Sequence, residues 1–261
     1  MSARISNAFA KASREQRAAF IPFIMGGDPN VEACARLLSA LPGAGADIIE
    51  LGIPFSDPMA DGKVIQAAGL RALKAGATLK NVLELARKFR AEHAETALVL
   101  MGYYNPIYRY GIQKFARDAH ASGVDGVIIV DLPPEEAGEV LPPLEQAGIA
   151  LIRLIAPTSI PDRLPLLTKN ASGYLYYISI AGITGAGAAA TEEIAKNIAA
   201  IREVTNLPIA VGFGIKTAEQ VKAIGNIADG VVVGSALVEA IARHQGDPAH
   251  VMEFVASLRG S

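Results

Sequence analysis

The run Asp47-Ile48-Ile49-Glu50-Leu51-Gly52-Ile53-Pro54-Phe55-Ser56-Asp57-Pro58-Met59-Ala60-Asp61-Gly62 decides how this chain is read. Ile48 to Gly52 is short, apolar on both faces and of strand length, which suits a parallel strand covered by helices. It carries Glu50 near its end, and an acidic loop punctuated by proline follows at once. A carboxylate in that place is costly unless it is paired, protonated or used. Glu50 and Asp61 are therefore the first candidates for proton chemistry.

The same pattern recurs along the chain. Apolar runs at Phe20–Met25, Ala97–Gly102, Gly126–Val130, Ala150–Ile155, Tyr174–Ser179, Pro208–Gly212 and Gly230–Gly234 bring the strand count to eight. Segments of helical period lie between them, among them Ala33–Leu41, Leu79–Glu92, Ile112–Ala121, Pro134–Gln146, Thr191–Val204 and Thr217–Ile224. Gly123, Gly148 and Gly225 are placed to end three of these. Eight strand–helix repeats in 261 residues predict an α/β fold, a (β/α)8 barrel forming a single domain over 1–261. Residues 1–18 read as an extra N-terminal helix capping the barrel floor, and 248–258 as a last outer helix. A doubly wound sheet would show a glycine fingerprint after its first strand, whereas this chain has Gly26-Gly27-Asp28-Pro29.

Composition narrows the function. A net charge of -2, from 24 basic and 26 acidic residues, gives no reason to expect a nucleic-acid partner. One cysteine, Cys34, excludes an intrachain disulfide and any site built on several thiolates. The four histidines have no ligand spacing, so no metal is expected. No apolar run is long enough to span a bilayer. The basic N-terminus before Ala18–Gly26 faintly imitates a targeting segment, but it merges into a Gly-Asp-Pro turn instead of a cleavage site. The cytoplasm is the expected compartment.

Barrels of this kind place chemistry at the C-terminal ends of their strands. That rule selects Glu50, with Asp57 and Asp61 in its loop. It also selects Met101-Gly102-Tyr103-Tyr104-Asn105, Asp131, the stretch Ser179 to Gly187, Gly212-Phe213-Gly214 and Gly234-Ser235. The glycines after strands 7 and 8 open the way to main-chain N–H groups at helix starts, where an anion is favoured. Tight turns explain each glycine pair singly as well. No lysine or arginine is read in these turns, so N–H donors are expected to hold the anion. The small-residue loop after strand 6 suits a lid over the site, or a plain surface loop. Asp61 also reads as a helix-start acid, and Glu50 as a carboxylate paired with a distant cation. Asp57 and Asp131 read as turn or cap residues. Tyr103, Tyr104 and Tyr176 read as core or as cavity wall.

Five motifs, in order along nearly the whole chain, resemble the tryptophan synthase alpha family. They are Glu50 to Gly62, Phe20 to Pro29, Gly182-Ile183-Thr184-Gly185, Gly212-Phe213-Gly214 and Gly234-Ser235. The resemblance implies a carbon–carbon lyase of tryptophan biosynthesis. Such an enzyme cleaves indole-3-glycerol phosphate to indole and glyceraldehyde 3-phosphate. It also implies a beta subunit that takes the indole in an alpha2beta2 heterotetramer. Pyridoxal phosphate is then expected in that partner, and no cofactor in this chain. Carried over by residue, Glu50 is the catalytic acid/base and Asp61 supports the charge on the ring. Tyr176 falls near the carboxylates and the glycerol part. Phe23, Met101, Tyr103 and Phe213 line the indole pocket. Gly185, Gly214, Gly234 and Ser235 bind phosphate, and Thr184 helps close the site. Asp57 and an Asn105-Pro106 turn face the partner. Met25 and the bulky Tyr103-Tyr104 pair depart from the family pattern and bear on pocket shape.

Chemistry sharpens these expectations. Burial on an apolar strand is expected to raise the Glu50 pKa, while Asp61 stays ionised. Two rivals stand beside this reading. One is another phosphate-binding barrel enzyme, such as the synthase or the isomerase acting earlier in the same pathway; the synthase is expected to use a lysine on an early strand, and no strand read here contains one. The other is a barrel that only binds ligand and regulates a partner.

Overall fold

The computed structural model describes residues 3–159, 162–179, 187–212 and 214–259. Its strands are β1 (Ala19–Met25), β2 (Ile48–Gly52), β3 (Ala97–Gly102), β4 (Gly126–Ile129), β5 (Ala150–Ile155), β6 (Leu175–Ile178), β7 (Ile209–Gly212) and β8 (Gly230–Val233). All pair in parallel with their sequence neighbours, and β1 closes the ring against β8. The helices are α1 (Ala3–Arg14), α2 (Val31–Ala40), α3 (Lys63–Lys74), α4 (Leu79–Glu92), α5 (Tyr104–Tyr110), α6 (Ile112–Ala121), α7 (Leu141–Gln146), α8 (Leu164–Lys169), α9 (Gly187–Arg202), α10 (Ala218–Gly225), α11 (Ser235–Arg243) and α12 (Pro248–Arg259). The expected (β/α)8 barrel, with its extra N-terminal helix, is the observed one.

The core has two layers because strand side chains alternate between faces. Outward residues such as Ile24, Ile49, Leu98 and Val127 pack under the helices. Inward residues such as Ile21, Ile48, Val99, Ile152, Tyr174 and Val232 fill the lumen. Helix α1 plugs the floor: Ile5, Ala8, Phe9 and Ala12 join the lumen cluster, and the Phe9 ring lies 5.6 Å from that of Tyr174. Each large apolar side chain so buried contributes about 1.5–3 kcal/mol.

Glycine makes room where the lumen holds large side chains. A Cβ on Gly52 would stand 2.8 Å from Phe23 Cζ, and one on Gly212 would stand 2.2 Å from Tyr176 Oη. Both aromatic residues can therefore face inward at the mouth.

Three local expectations need correction. The helix expected over Pro134–Gln146 is a 3-10 segment, Pro134–Glu139, followed by the short α7. Gly138 has low helix propensity, and Pro142 and Pro143 lack the N–H that a continuous helix would use. Gly225 is the last helical residue of α10, not the stop beyond it; Gly123 and Gly148 do follow their helices, with φ of 75° and 70°. Asn105 and Pro106 form the first turn of α5 instead of a separate turn, since proline is tolerated where the N–H is unpaired anyway.

Candidate active site

Strand β2 delivers Glu50 into the lumen between Phe23 of β1 and Val99 of β3. The residue is 0% exposed. The Tyr174 hydroxyl donates to Glu50 Oε1 at 2.6 Å, and Oε2 has no hydrogen-bond partner among the described residues. Burial penalises the charged form and pushes the carboxyl pKa up to about 8, against the smaller pull of the Tyr174 bond. Glu50 is therefore mostly protonated at neutral pH. The direction is the one expected from its apolar strand. Among the described residues no cation pairs with it, so the ion-pair alternative does not hold there.

Asp61 reaches the same space from the loop between β2 and α3. That loop is fastened at both ends. Ala60 N–H donates to Tyr103 Oη at 3.1 Å, the Phe55 and Tyr103 rings lie 5.4 Å apart, and Gln66 Nε2 donates to Asp61 O at 2.8 Å. Helix α3 is itself anchored by a bidentate pair, Arg71 to the buried Asp28, at 2.7 and 2.8 Å. Partial burial raises the Asp61 pKa to about 6, opposed by its hydrogen bond with Tyr103. Asp61 stays mostly ionised at neutral pH, although its pKa is not an ordinary one. Two carboxyl groups thus lie on opposite sides of neutrality, the condition for dividing acid and base roles.

Both carboxyl groups line one cavity of about 390 Å³ at the C-terminal mouth of the barrel. Phe23, Met101, Tyr103 and Tyr176 form apolar wall, and Gly214, Gly234 and Ser235 stand at its rim. Gly234 caps the start of α11 and supplies no side-chain hydrogen bond, so N–H groups at that helix start are open to an anion. Gly214 has φ of 82°, which favours glycine. It does not lead directly into helix α10, as the sequence reading had it. Thr217 and Gln220 cap that helix reciprocally, and Gln220 Oε1 accepts from Lys216 N–H at 2.7 Å. The two turns themselves hold no lysine or arginine, but Lys216, two residues past Gly214, lines the cavity.

Comparison with known proteins places this architecture. The family model described as tryptophan synthase alpha chain matches residues 9–260. The tryptophan synthase alpha subunit of Legionella pneumophila is 39% identical, with all of this chain and 98% of that one covered and a TM-score of 0.91. A chain of tryptophan synthase from M. tuberculosis is 33% identical over 98% and 97% of the two chains, with a TM-score of 0.88. One from a Pyrococcus furiosus tryptophan synthase complex is 37% identical over 93% and 98%, with a TM-score of 0.86. The chain belongs to the tryptophan synthase alpha chain family.

Of the residues singled out from the tryptophan synthase alpha motifs, Glu50, Asp61, Tyr176, Phe23, Met101, Tyr103, Gly214, Gly234 and Ser235 share the cavity. Thr184, Gly185 and Phe213 lie outside the described residues. Tyr104 turns away: its hydroxyl meets Glu139 and its ring lies 5.7 Å from that of Tyr108. Asp131 accepts from Tyr104 N–H at 2.7 Å, a cap from a neighbouring loop. Asp57 is exposed and accepts from Ser56 Oγ. Among the described residues, no cluster of His, Cys, Asp or Glu could hold a metal ion, and no helix is long and apolar enough to cross a membrane.

Sequence reasoning missed Tyr174, Lys216 and Glu239. Period-2 spacing from Tyr176 puts Tyr174 on the lumen face, which was a usable signal. Lys216 lies two residues past Gly214, just beyond the turn as it was first drawn.

Proposed function

We propose that Glu50 and Asp61 carry the lyase reaction of this tryptophan synthase alpha chain, cleavage of indole-3-glycerol phosphate to indole and glyceraldehyde 3-phosphate. The observation that carries the reading is the shared cavity, with a mostly protonated acid and a mostly ionised one facing the same apolar walls.

The reaction is a retro-aldol cleavage. Protonated Glu50 gives its proton to the ring carbon bearing the glycerol chain, and the indole becomes a cationic indolenine. Asp61 accepts the indole N–H and its fixed charge lowers the energy of that cation. The Glu50 carboxylate then takes the proton of the adjacent glycerol hydroxyl. The O–H electron pair becomes the aldehyde π bond. The C–C pair returns to the ring and restores neutral indole, and Glu50 ends protonated. Acid–base help of this kind is worth roughly 10² to 10⁴ in rate.

Tyr174 keeps Glu50 in place through Oε1, which leaves Oε2 available for proton transfer. Phe23, Met101 and Tyr103 receive the heterocycle, and Tyr176 borders the glycerol part. Gly214, Gly234 and Ser235 hold the phosphate, with Gly185 joining them; Thr184 and Phe213 act in closing and lining the site. Phosphate takes no part in bond breaking; its binding orients the chain for reaction.

The reading covers residues 1–261 as one barrel domain at work in the cytoplasm, in line with a lone, buried Cys34. The product indole passes to a beta subunit in an alpha2beta2 complex. Pyridoxal phosphate belongs to that subunit, and this chain uses no cofactor. Exposed Met59, on the loop that carries Asp57, and exposed Tyr108, on helix α5 with Asn105, suit a partner surface.

Glu50→Gln tests the assignment. Turnover should fall by about 10² to 10⁴, the usual worth of a general acid–base group, while a substrate analogue still binds. Near-normal turnover in a folded variant removes Glu50 from the chemistry. A fully inactive wild-type chain with the beta subunit present removes the reaction itself.

A further inference from the structure

The cavity's charges are unbalanced for an anionic substrate. Asp61 and Glu239 both line it, and Glu50 adds a third carboxyl group. A phosphate monoester carries about -1.5 to -2 charge at neutral pH. Main-chain N–H groups at the start of α11 offer partial positive charge, equivalent to about half a unit at a helix N-terminus. That is small beside two carboxylates and a phosphate inside one apolar-walled space. Lys216 is the one cationic side chain that lines the cavity among the described residues. Neither it nor Glu239 has an ion-pair partner among the described residues.

The backbone around Lys216 is fixed. Its N–H is already given to Gln220 Oε1 at 2.7 Å, Thr217 N–H goes to the same oxygen at 3.2 Å, and Gln220 N–H goes to Thr217 Oγ1 at 3.4 Å. The start of α10 is therefore self-capped and has fewer N–H groups to give a ligand. Ile215, buried at 2%, holds the preceding residue in the core. What the segment still offers is the Lys216 ammonium, an exposed and mobile donor on a four-carbon stem.

We propose that Lys216 is a substrate-binding residue for the phosphate group. Its ammonium closes over the face of the phosphate opposite the N–H groups of Gly234 and Ser235 and offsets the carboxylates of the cavity. This rests on the phosphate-ester reading above and adds a residue to it. The lysine acts on binding and orientation, not on bond breaking, because it stands with the glycines at the rim.

The test uses the full chain with its beta subunit and measures indole release against ionic strength, alongside binding of glycerol 3-phosphate. Lys216→Ala should raise KM and the glycerol 3-phosphate Kd by about tenfold, equal to about 1.4 kcal/mol, with kcat changed by less than about threefold. The salt dependence of both constants should flatten, because an exposed charge pair is screened. Lys216→Arg should restore most of the affinity, and Lys216→Gln should not. A merely structural role would lower the melting temperature and kcat without changing the salt slope. Unchanged KM, Kd and salt slope in Lys216→Ala, with an active wild type, overturn the proposal while leaving the reaction intact. A wild type that neither binds glycerol 3-phosphate nor releases indole overturns the functional reading first.

Discussion

At the floor of the barrel, the 2% exposed Asp125 accepts from Arg4 at 3.0 Å, from Arg90 at 2.8 Å and from Leu98 N–H at 2.9 Å. Asp47 accepts from both terminal nitrogens of Arg17, at 2.6 and 2.8 Å, and from Phe20 N–H. At the mouth, the equally buried Glu50 has a single donor and one oxygen with none. Each floor acid meets a cation and a main-chain donor, while the deepest mouth acid meets neither. Paired buried carboxylates hold α1 and the strand starts in register. The two without a cation at the mouth, Glu50 and Asp61, are the ones we propose for proton transfer, and burial moves their pKa values toward neutrality.

The strongest challenge to this contrast is a pair of substitutions of the same residue class at opposite ends. Glu50→Gln should cost no stability and lower turnover by about 10² to 10⁴. Asp125→Ala should do the reverse. It takes the counter-charge from the Arg90 guanidinium, whose side chain is 13% exposed and keeps only main-chain carbonyl acceptors, and removing one partner of a buried pair costs roughly 3–5 kcal/mol. Chemical denaturation should report that loss, and kcat per folded molecule should remain near wild type. An Asp125→Ala protein of normal stability, or a Glu50→Gln protein that unfolds, would end the division of labour between the two faces.

A smaller effect tests how tightly the mouth is built. In Gly212→Ala the new methyl would lie 2.2 Å from Tyr176 Oη and 2.7 Å from its Cζ, so the ring has to move. Overpacking of this kind costs about 1–3 kcal/mol. Displacing a wall residue by about 1 Å can cost about 10²-fold in rate. Steady-state kinetics with a melting curve should show kcat/KM falling further than stability alone explains. If both stay unchanged, Tyr176 does not shape the site.

How far the sequence reveals these features follows from the range of the interactions. Strand runs are local and strongly apolar, so Ile48–Gly52, Ala97–Gly102 and Ala150–Ile155 are read to the residue, and the others to within one residue at either end. Breaks in helices are local too, yet the helix over Pro134–Gln146 was drawn through Gly138 and two prolines because apolar spacing outweighed propensity. Glu50 stands out because it violates the apolar pattern around it, and Asp61 because it belongs to the motif that follows. Tyr174 does not: its bond to Glu50 joins residues 124 apart in sequence, and nothing local marks a buried tyrosine as a donor. Lys216 fails for a different reason. The turn that carries it extends beyond Gly214 only because Thr217 and Gln220 cap α10 later than the glycine suggested.

The mildest test of the contrast is made with pH alone. Asp61 has to be ionised and Glu50 protonated at the start of the cycle. So kcat should fall below about pH 6 as Asp61 gains a proton, and above about pH 8 as Glu50 loses its own. Following kcat separates these groups from the substrate phosphate, whose own pKa near 6 enters kcat/KM. Stability gives an independent reading of the same residue. The native carboxyl of Glu50 holds its proton up to about pH 8, whereas the unfolded chain releases it near the ordinary glutamate value of 4.5. Between those values the native state binds more protons, so this contribution is full below 4.5 and is lost as pH rises toward 8. The stability of wild type relative to Glu50→Gln should therefore decline across that window and level off above it. A flat difference would mean that Glu50 is ionised in the folded protein, and that burial at the mouth does not keep it protonated.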